Sequence, residues 1–303
     1  MLTMILMRYA VLDTLLGEIE VTMIQGKIGD AAMQVKFPLI DFILLVAATV
    51  FITAGGYVIN NYTAVGSKIS QRQAMTLHNL LNMTGVALGF YISWRSGYTL
   101  LGAMFLLVSG LLYFYSASYK KQFLIGNIIV AFLAAMVPML VAIYEWPAVY
   151  RFYIINAVGT PDLSFIFYWT GGFALFVFLT TLTCEIIKDI EDYEGDTTYG
   201  RNTVPIILGI ITSKIIVIAL IIITLALLYV IWYLFLFDKY TLIYISTFIS
   251  IPLIFVIIMI FRSVSARQFR MANRLMKAIM LAGILYSLVV KALINYNLVQ
   301  SGV

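Results

Sequence analysis

Cysteine is nearly absent from this 303-residue chain: Cys184 stands alone, and the single histidine, His78, is remote from it in sequence. An intrachain disulfide, a zinc site and a thiol redox pair are thereby excluded. Charge is scarce too. Only 11% of the residues are Asp, Glu, Lys or Arg against 63% apolar, and the mean hydropathy is +1.01. That balance excludes a soluble globular domain and leaves a polytopic membrane protein. The net charge of +5 would suggest nucleic acid in a soluble chain. Here membrane topology accounts for it, and no nucleic-acid partner is expected. No cleavable signal is expected, because Met1 to Leu16 has neither a basic leading segment nor a small-residue cleavage site.

Apolar runs, by contrast, are plentiful. They lie near Leu39–Asn60, Met75–Trp94, Tyr98–Tyr115, Ile125–Tyr144, Phe165–Ile187, Ile215–Leu236, Leu242–Phe261 and Ala278–Leu298. Each is close to the ~20 helical residues that cross a bilayer. Met1–Leu16 reads as a shortened first helix and Glu18–Lys36 as a polar loop. The expectation is an all-α membrane protein of nine transmembrane helices, the first one short, in a single domain over residues 1–303. Basic residues set its orientation. Lys68, Arg72, Lys120, Lys121, Lys188, Arg201, Lys214, Arg262, Arg267, Arg270, Arg274 and Lys277 fall in alternate loops, and the loops between hold only Lys27, Lys36, Arg95, Arg151 and Lys239. The richer loops are cytoplasmic by the positive-inside rule, which puts the N-terminus inside and the C-terminus outside the cell membrane.

One stretch breaks the apolar pattern. Residues 185–196 hold six of the fourteen acidic side chains. Glu185, Asp189, Asp192 and Asp196 recur at i, i+4, i+7 and i+11, so a helix would stack them on one face. Like charges so placed repel, and carboxylates near membrane depth are costly. A positive partner is required. An oxygen-only cluster suits a hard cation, and Mg²⁺ takes one or two carboxylates, waters and a substrate phosphate. The plainer alternative is a solvated acidic cap at a helix end. Gly195 and Gly200 close behind fray the helix into a loop and place the cluster at the membrane surface. Asn60-Asn61-Tyr62 ends the second run as the acidic string ends the sixth, which hints at two related halves; capping asparagines are the plainer reading there. His78 reads as a packed or capping residue, and the arginines between Arg262 and Arg274 as an orientation signal.

Taken together these residues resemble the UbiA-type intramembrane prenyltransferases. Lys188-Asp189-Ile-Glu-Asp192-Tyr-Glu-Gly-Asp196, followed by Gly200-Arg201-Asn202-Thr203-Val204-Pro205 and Gly209, is similar to the family's second aspartate motif. Tyr115 with Lys120 and Gly126-Asn127 is similar to its Tyr…Lys…Gly-Asn element. The string Tyr-Lys-Lys-Gln-Phe-Leu-Ile-Gly-Asn and the run Lys277–Tyr286 are most similar to the branch that transfers geranylgeranyl to geranylgeranylglyceryl phosphate.

The resemblance implies transfer of a prenyl group from an allylic diphosphate to a lipid or aromatic acceptor, inside a central lipid-facing cavity. It implies Mg²⁺ held by Asp189, Asp192, Asp196 and Glu185, with Lys120 and Tyr115 catalytic. Asn60, Asn61, Arg72, Asn127, Lys188 and Arg201 would bind substrate. The resemblance fails at one place. Where the family's first motif carries aspartates, this chain reads Asn60-Asn61-Tyr62-Thr63-Ala64-Val65-Gly66, without a carboxylate. Either half the metal site is absent, or residues are missing from the sequence between Thr63 and Ala64; the ordinary flanks favour the second and predict a chain break there. An inactive prenyl-lipid-binding relative is the rival if the aspartates are truly absent. A secondary transporter is a further rival, but its site would sit near the midplane on broken helices.

Overall fold

The computed structural model describes residues 1–23, 29–62, 70–119, 122–157 and 162–301. Helix α1 spans residues 2–17, α-helical at both ends with a π-helical turn over Met7–Leu12. An antiparallel hairpin follows, β1 (Glu20–Met23) against β2 (Gly29–Ala32), with Glu20 opposite Ala32. This hairpin departs from the all-helical expectation and replaces part of the expected loop. Then come α2 (Leu39–Tyr62), α3 (Gln71–Arg95), α4 (Gly102–Ala117), α5 (Ile125–Asn156) and α6 (Phe165–Glu191). The chain continues through two short helices, α7 (Tyr193–Thr198) and α8 (Val204–Leu208). It closes with α9 (Ile210–Leu236), α10 (Lys239–Arg262) and α11 (Ala266–Ser301).

Helix ends follow local chemistry. The Ser70 hydroxyl and the Gln73 side chain form a capping box that starts α3. Asp238 caps α10 by accepting from the Thr241 N–H at 2.7 Å. Among the described residues, seven helices are long and apolar enough to cross a membrane: α2, α4 with its leading turn Thr99–Leu101, α5, α6, α9, α10 and α11. This is an integral membrane protein. α3 has the length at 25 residues but is too polar to count by composition, because His78, Asn79 and Asn82 sit within it. Two of these are buried and paired: His78 Nδ1 lies 2.9 Å from the Gly55 carbonyl, and Ser109 Oγ donates to Asn82 Oδ1 at 2.7 Å. His78 is therefore a packed histidine, as its sequence context suggested.

Two apolar cores organise the bundle. One gathers α1, the hairpin, α2, α5 and the start of α6, around Leu12, Met33, Leu45, Tyr144 and Ile166. The other joins the end of α6 to α8 through α11, around Ile186, Val217, Leu253 and Met276. α5 and α6 belong to both. The first core encloses an ion pair, Arg8 Nε to Glu145 Oε2 at 3.1 Å, with side-chain exposures of 3% and 1%. Glu145 Oε1 also accepts the N–H groups of Lys36 and Phe37, at 2.5 and 2.7 Å, and Arg8 donates to the Phe37 carbonyl. The pair thus ties α1 and the entry to α2 onto α5, eighteen residues along from Asn127.

Candidate active site

The last turns of α6 are two-faced. Ile186, Ile187 and Ile190 are buried in the second core, and Glu185, Lys188 and Asp189 take the opposite side. α6 stops where Asp192 leaves the helical region, at φ −88 and ψ 8. α7 starts at the next residue, so the acidic string runs over two helices where one continuous face was expected. α7 passes through Gly195 and is closed two residues past its end by Gly200, whose φ of +61 favours glycine. There the Gly200 N–H bonds to the Thr197 carbonyl and the Arg201 N–H to the Asp196 carbonyl, at 3.3 and 3.0 Å, which is a Schellman closure. The reversal turns the Arg201 side chain back onto the same helix. Its Nη1 lies 2.8 Å from Asp196 Oδ1.

α5 supplies the facing wall. Leu124 sits at φ 59, a left-handed conformation costly for a branched side chain, and the helix starts immediately after it. Asn127, on the first turn, donates from Nδ2 to Asp189 Oδ2 at 2.8 Å. α4 adds Tyr115, which is buried. Together these elements enclose a recess lined by Tyr115, Gly126, Asn127, Glu185, Lys188, Asp189, Asp192, Asp196, Arg201 and Thr203.

Eight of the residues singled out from the sequence therefore meet around one recess: Tyr115, Asn127, Glu185, Lys188, Asp189, Asp192, Asp196 and Arg201. Arg72 does not; it is exposed on the first turn of α3. Asn60 is half-buried near the end of α2 and is not part of the lining. Asn61 stands one residue before the end of that helix, but its side chain, Lys120, and the junction of Thr63 with Ala64 all lie outside the described residues. Thr203 also lines the recess, although the sequence assigns it no role of its own. It stands inside the Gly200-to-Pro205 string, where a threonine before a proline-containing helix start looks like an ordinary cap.

Four carboxylates share the recess with two cations, Lys188 and Arg201. One carboxylate, Asp196, is already engaged by Arg201, and Asp189 has one oxygen held by Asn127. Among the described residues no three acidic side chains converge as ready ligands of one ion. The donor set still fits Mg²⁺, which needs only one or two protein carboxylates and completes its shell with water and phosphate oxygens. An acidic recess repels a diphosphate unless a divalent cation inverts its sign.

The sequence profile of the UbiA prenyltransferase family matches residues 30–281. The chain is similar to the digeranylgeranylglyceryl phosphate synthase of Methanosphaera stadtmanae, at 30% identity over 232 residues, covering 71% of this chain and 74% of that protein. It is also similar to the synthase of the same name from Thermococcus sibiricus, at 31% over 204 residues, covering 62% of this chain and 64% of the relative, just under two thirds of its length. In fold it matches a solved digeranylgeranylglyceryl phosphate synthase with a TM-score of 0.58 and 21% identity, over 83% of this chain and 87% of the other. A solved UbiA homologue from Aeropyrum pernix in its apo form matches with a TM-score of 0.61 and 16% identity, over 95% and 97%. With the profile covering most of its length and the matching helices building an acidic recess at the end of α6, the chain belongs to the UbiA prenyltransferase family and is a prenyltransferase.

Proposed function

We propose that this protein transfers a geranylgeranyl group from its allylic diphosphate to geranylgeranylglyceryl phosphate, in a Mg²⁺-dependent step of membrane lipid synthesis. The observation that carries the reading is the recess in which Glu185, Asp189 and Asp192 face Lys188 and Arg201 at the helix ends. The relatives' shared name supports the choice of acceptor. The whole chain acts as one transmembrane domain. Nine spans, with α1 and α3 added to the seven apolar ones, surround a cavity open to lipid. The recess faces the cytoplasm, the N-terminus lies inside and the C-terminus outside, in keeping with the basic loops.

In the reaction the bond from C1 of the prenyl group to the diphosphate oxygen breaks, and the electron pair leaves with pyrophosphate. The acceptor hydroxyl oxygen forms the new bond to C1 and passes its proton to the released pyrophosphate. Mg²⁺, held by Asp189 and Asp192, would neutralise the departing diphosphate. The chain's own side chains do the rest. Asn127 keeps one Asp189 oxygen turned toward it, which leaves the other available. Asp196 holds Arg201 in place, so that guanidinium charge is directed before substrate arrives. Lys188 adds a second cation, and buried Tyr115 gives the allylic centre an aromatic neighbour that water cannot displace.

The test is incubation of the purified protein with radiolabelled geranylgeranyl diphosphate, Mg²⁺ and either geranylgeranylglyceryl phosphate or an aromatic acid. Product with the phosphate acceptor, lost in Asp189→Ala, supports the reading. Product only with the aromatic acid redirects it to quinone-type chemistry, and no product with any acceptor leaves an inactive relative.

A further inference from the structure

Thr203 carries a hydroxyl with no evident structural employment. The residue is 4% exposed, and its Oγ1 has no hydrogen-bond partner among the described residues. Thr181, also buried and without a partner among the described residues, lies outside the recess lining. Three buried threonines of α6, Thr170, Thr180 and Thr183, return the hydroxyl to the carbonyl four residues back at 2.7 Å. Thr203 cannot, because its backbone is extended, at φ −75 and ψ 166, just outside α8. A threonine there would ordinarily accept an N–H of the first turn through its side chain. Here no such side-chain bond forms, and the main-chain carbonyl of Thr203 takes the N–H groups of Ile206 and Ile207, both at 3.1 Å.

Two residues earlier the same pattern recurs. Arg201 spends Nη1 on Asp196, but its Nε is buried without a partner among the described residues. Residues 201–203 are neither helix nor strand, and in extended chain positions i and i+2 lie on one side. Both residues line the recess. Thr203 Oγ1 and Arg201 Nε are thus two buried donors without partners among the described residues, on the wall of the recess held by the Schellman turn. Since Asp196 is paired with Arg201, this wall is not where carboxylate repulsion is strongest.

We infer that Thr203 is a substrate-binding residue, its hydroxyl acting with Arg201 Nε–H to hold a phosphoryl oxygen in the recess. The inference rests on the reading of that recess as a phosphate-bearing substrate site. Two sources share this chemistry, the diphosphate of the prenyl donor and the phosphate of the acceptor.

The experiment compares wild type, Thr203→Val and Thr203→Ser in the full-length protein. It measures KM for geranylgeranyl diphosphate and for geranylgeranylglyceryl phosphate, and the Kd of inorganic pyrophosphate with Mg²⁺ by calorimetry. Loss of a hydrogen bond to a charged group predicts about a tenfold or larger rise in one KM for Thr203→Val, with melting temperature unchanged. Thr203→Ser should stay within about twofold of wild type, as the rescue a merely structural role would not give. A rise in donor KM with weaker pyrophosphate binding identifies the diphosphate; a rise in acceptor KM alone identifies the acceptor phosphate. Unchanged KM values and pyrophosphate affinity in folded Thr203→Val overturn the inference, as does a wild type that binds neither pyrophosphate nor acceptor. If the valine variant does not fold, Thr203→Ala is read by the same criteria. A wild type that binds pyrophosphate through Thr203 yet transfers no prenyl group refutes the activity and leaves the binding role standing.

Discussion

Replacing Asn127 by alanine removes the contact that most directly orients the acidic recess. The amide donates to Asp189 Oδ2 at 2.8 Å from a side chain only 8% exposed, so bulk water has little room to take its place. A hydrogen bond to a charged group contributes roughly 1.5–3 kcal/mol. If that contribution is felt in the transition state, kcat/KM falls by about 10- to 150-fold, at about 1.4 kcal/mol per factor of ten. The assay is the initial rate of prenyl transfer from radiolabelled geranylgeranyl diphosphate across a range of donor concentrations, with a melting curve of each variant to show that it is folded. Asn127→Asp should lose more activity, because it sets a second carboxylate against Asp189 and like charges raise the cost of keeping both ionised. An alanine variant within twofold of wild type, beside an inactive Asp189→Ala, would refute the idea that Asn127 orients the acid.

Three further outcomes follow from packing and charge. Arg8→Met should destabilise the protein by about 3–5 kcal/mol, because it leaves Glu145 buried without its cation. Adding Glu145→Gln, which still accepts from Lys36 and Phe37, should recover most of that loss; thermal unfolding in detergent reads both, and a single variant as stable as wild type contradicts the pairing argument. Gly283→Ala should cost roughly 1–3 kcal/mol, since a methyl group there strikes the ring of Phe176 and forces α11 away from α6. An unchanged melting temperature would mean the two helices part freely. Arg270→Ala, by contrast, should cost no more than about 1 kcal/mol, because its pair with Glu191 is made by a side chain 57% exposed. A larger loss in the same unfolding measurement would show the strap between α6 and α11 to be structural.

Much of this architecture is written in the apolar runs, and the departures have identifiable causes. Residues 75–94 read as a span by run length, but α3 falls short by composition because of His78, Asn79 and Asn82; His78 and Asn82 are buried and bonded to neighbouring helices. α5 outlasts its apolar run and continues through Pro147 to Asn156, because Glu145 and Arg8 neutralise one another inside the core. α11 begins twelve residues before the run Ala278–Leu298, since its first turns keep Phe269, Ala272 and Met276 buried and present arginines outward. The first strand of the hairpin is in fact legible, since Glu18-Ile-Glu-Val-Thr-Met23 alternates polar and apolar side chains as a half-buried strand does, but the mixed charge of residues 18–36 reads as a loop.

At the site, periodicity correctly gathered the acids of α6. It could not foresee the break at Asp192 or the Schellman turn that swings Arg201 onto Asp196, because both depend on backbone angles that spacing does not encode. Thr203 stands in the motif string without a role of its own for the same reason: whether a threonine caps its helix or leaves its hydroxyl unused depends on geometry.

The most direct measurement is a structure of the protein with Mg²⁺ and geranylgeranyl thiodiphosphate, a donor whose leaving group resists departure. The account predicts the diphosphate in the recess between α5 and α6, with metal density beside Asp189 and Asp192 and phosphate oxygens toward Arg201. A diphosphate bound elsewhere on the protein, with the recess carboxylates turned away from it, would contradict the account.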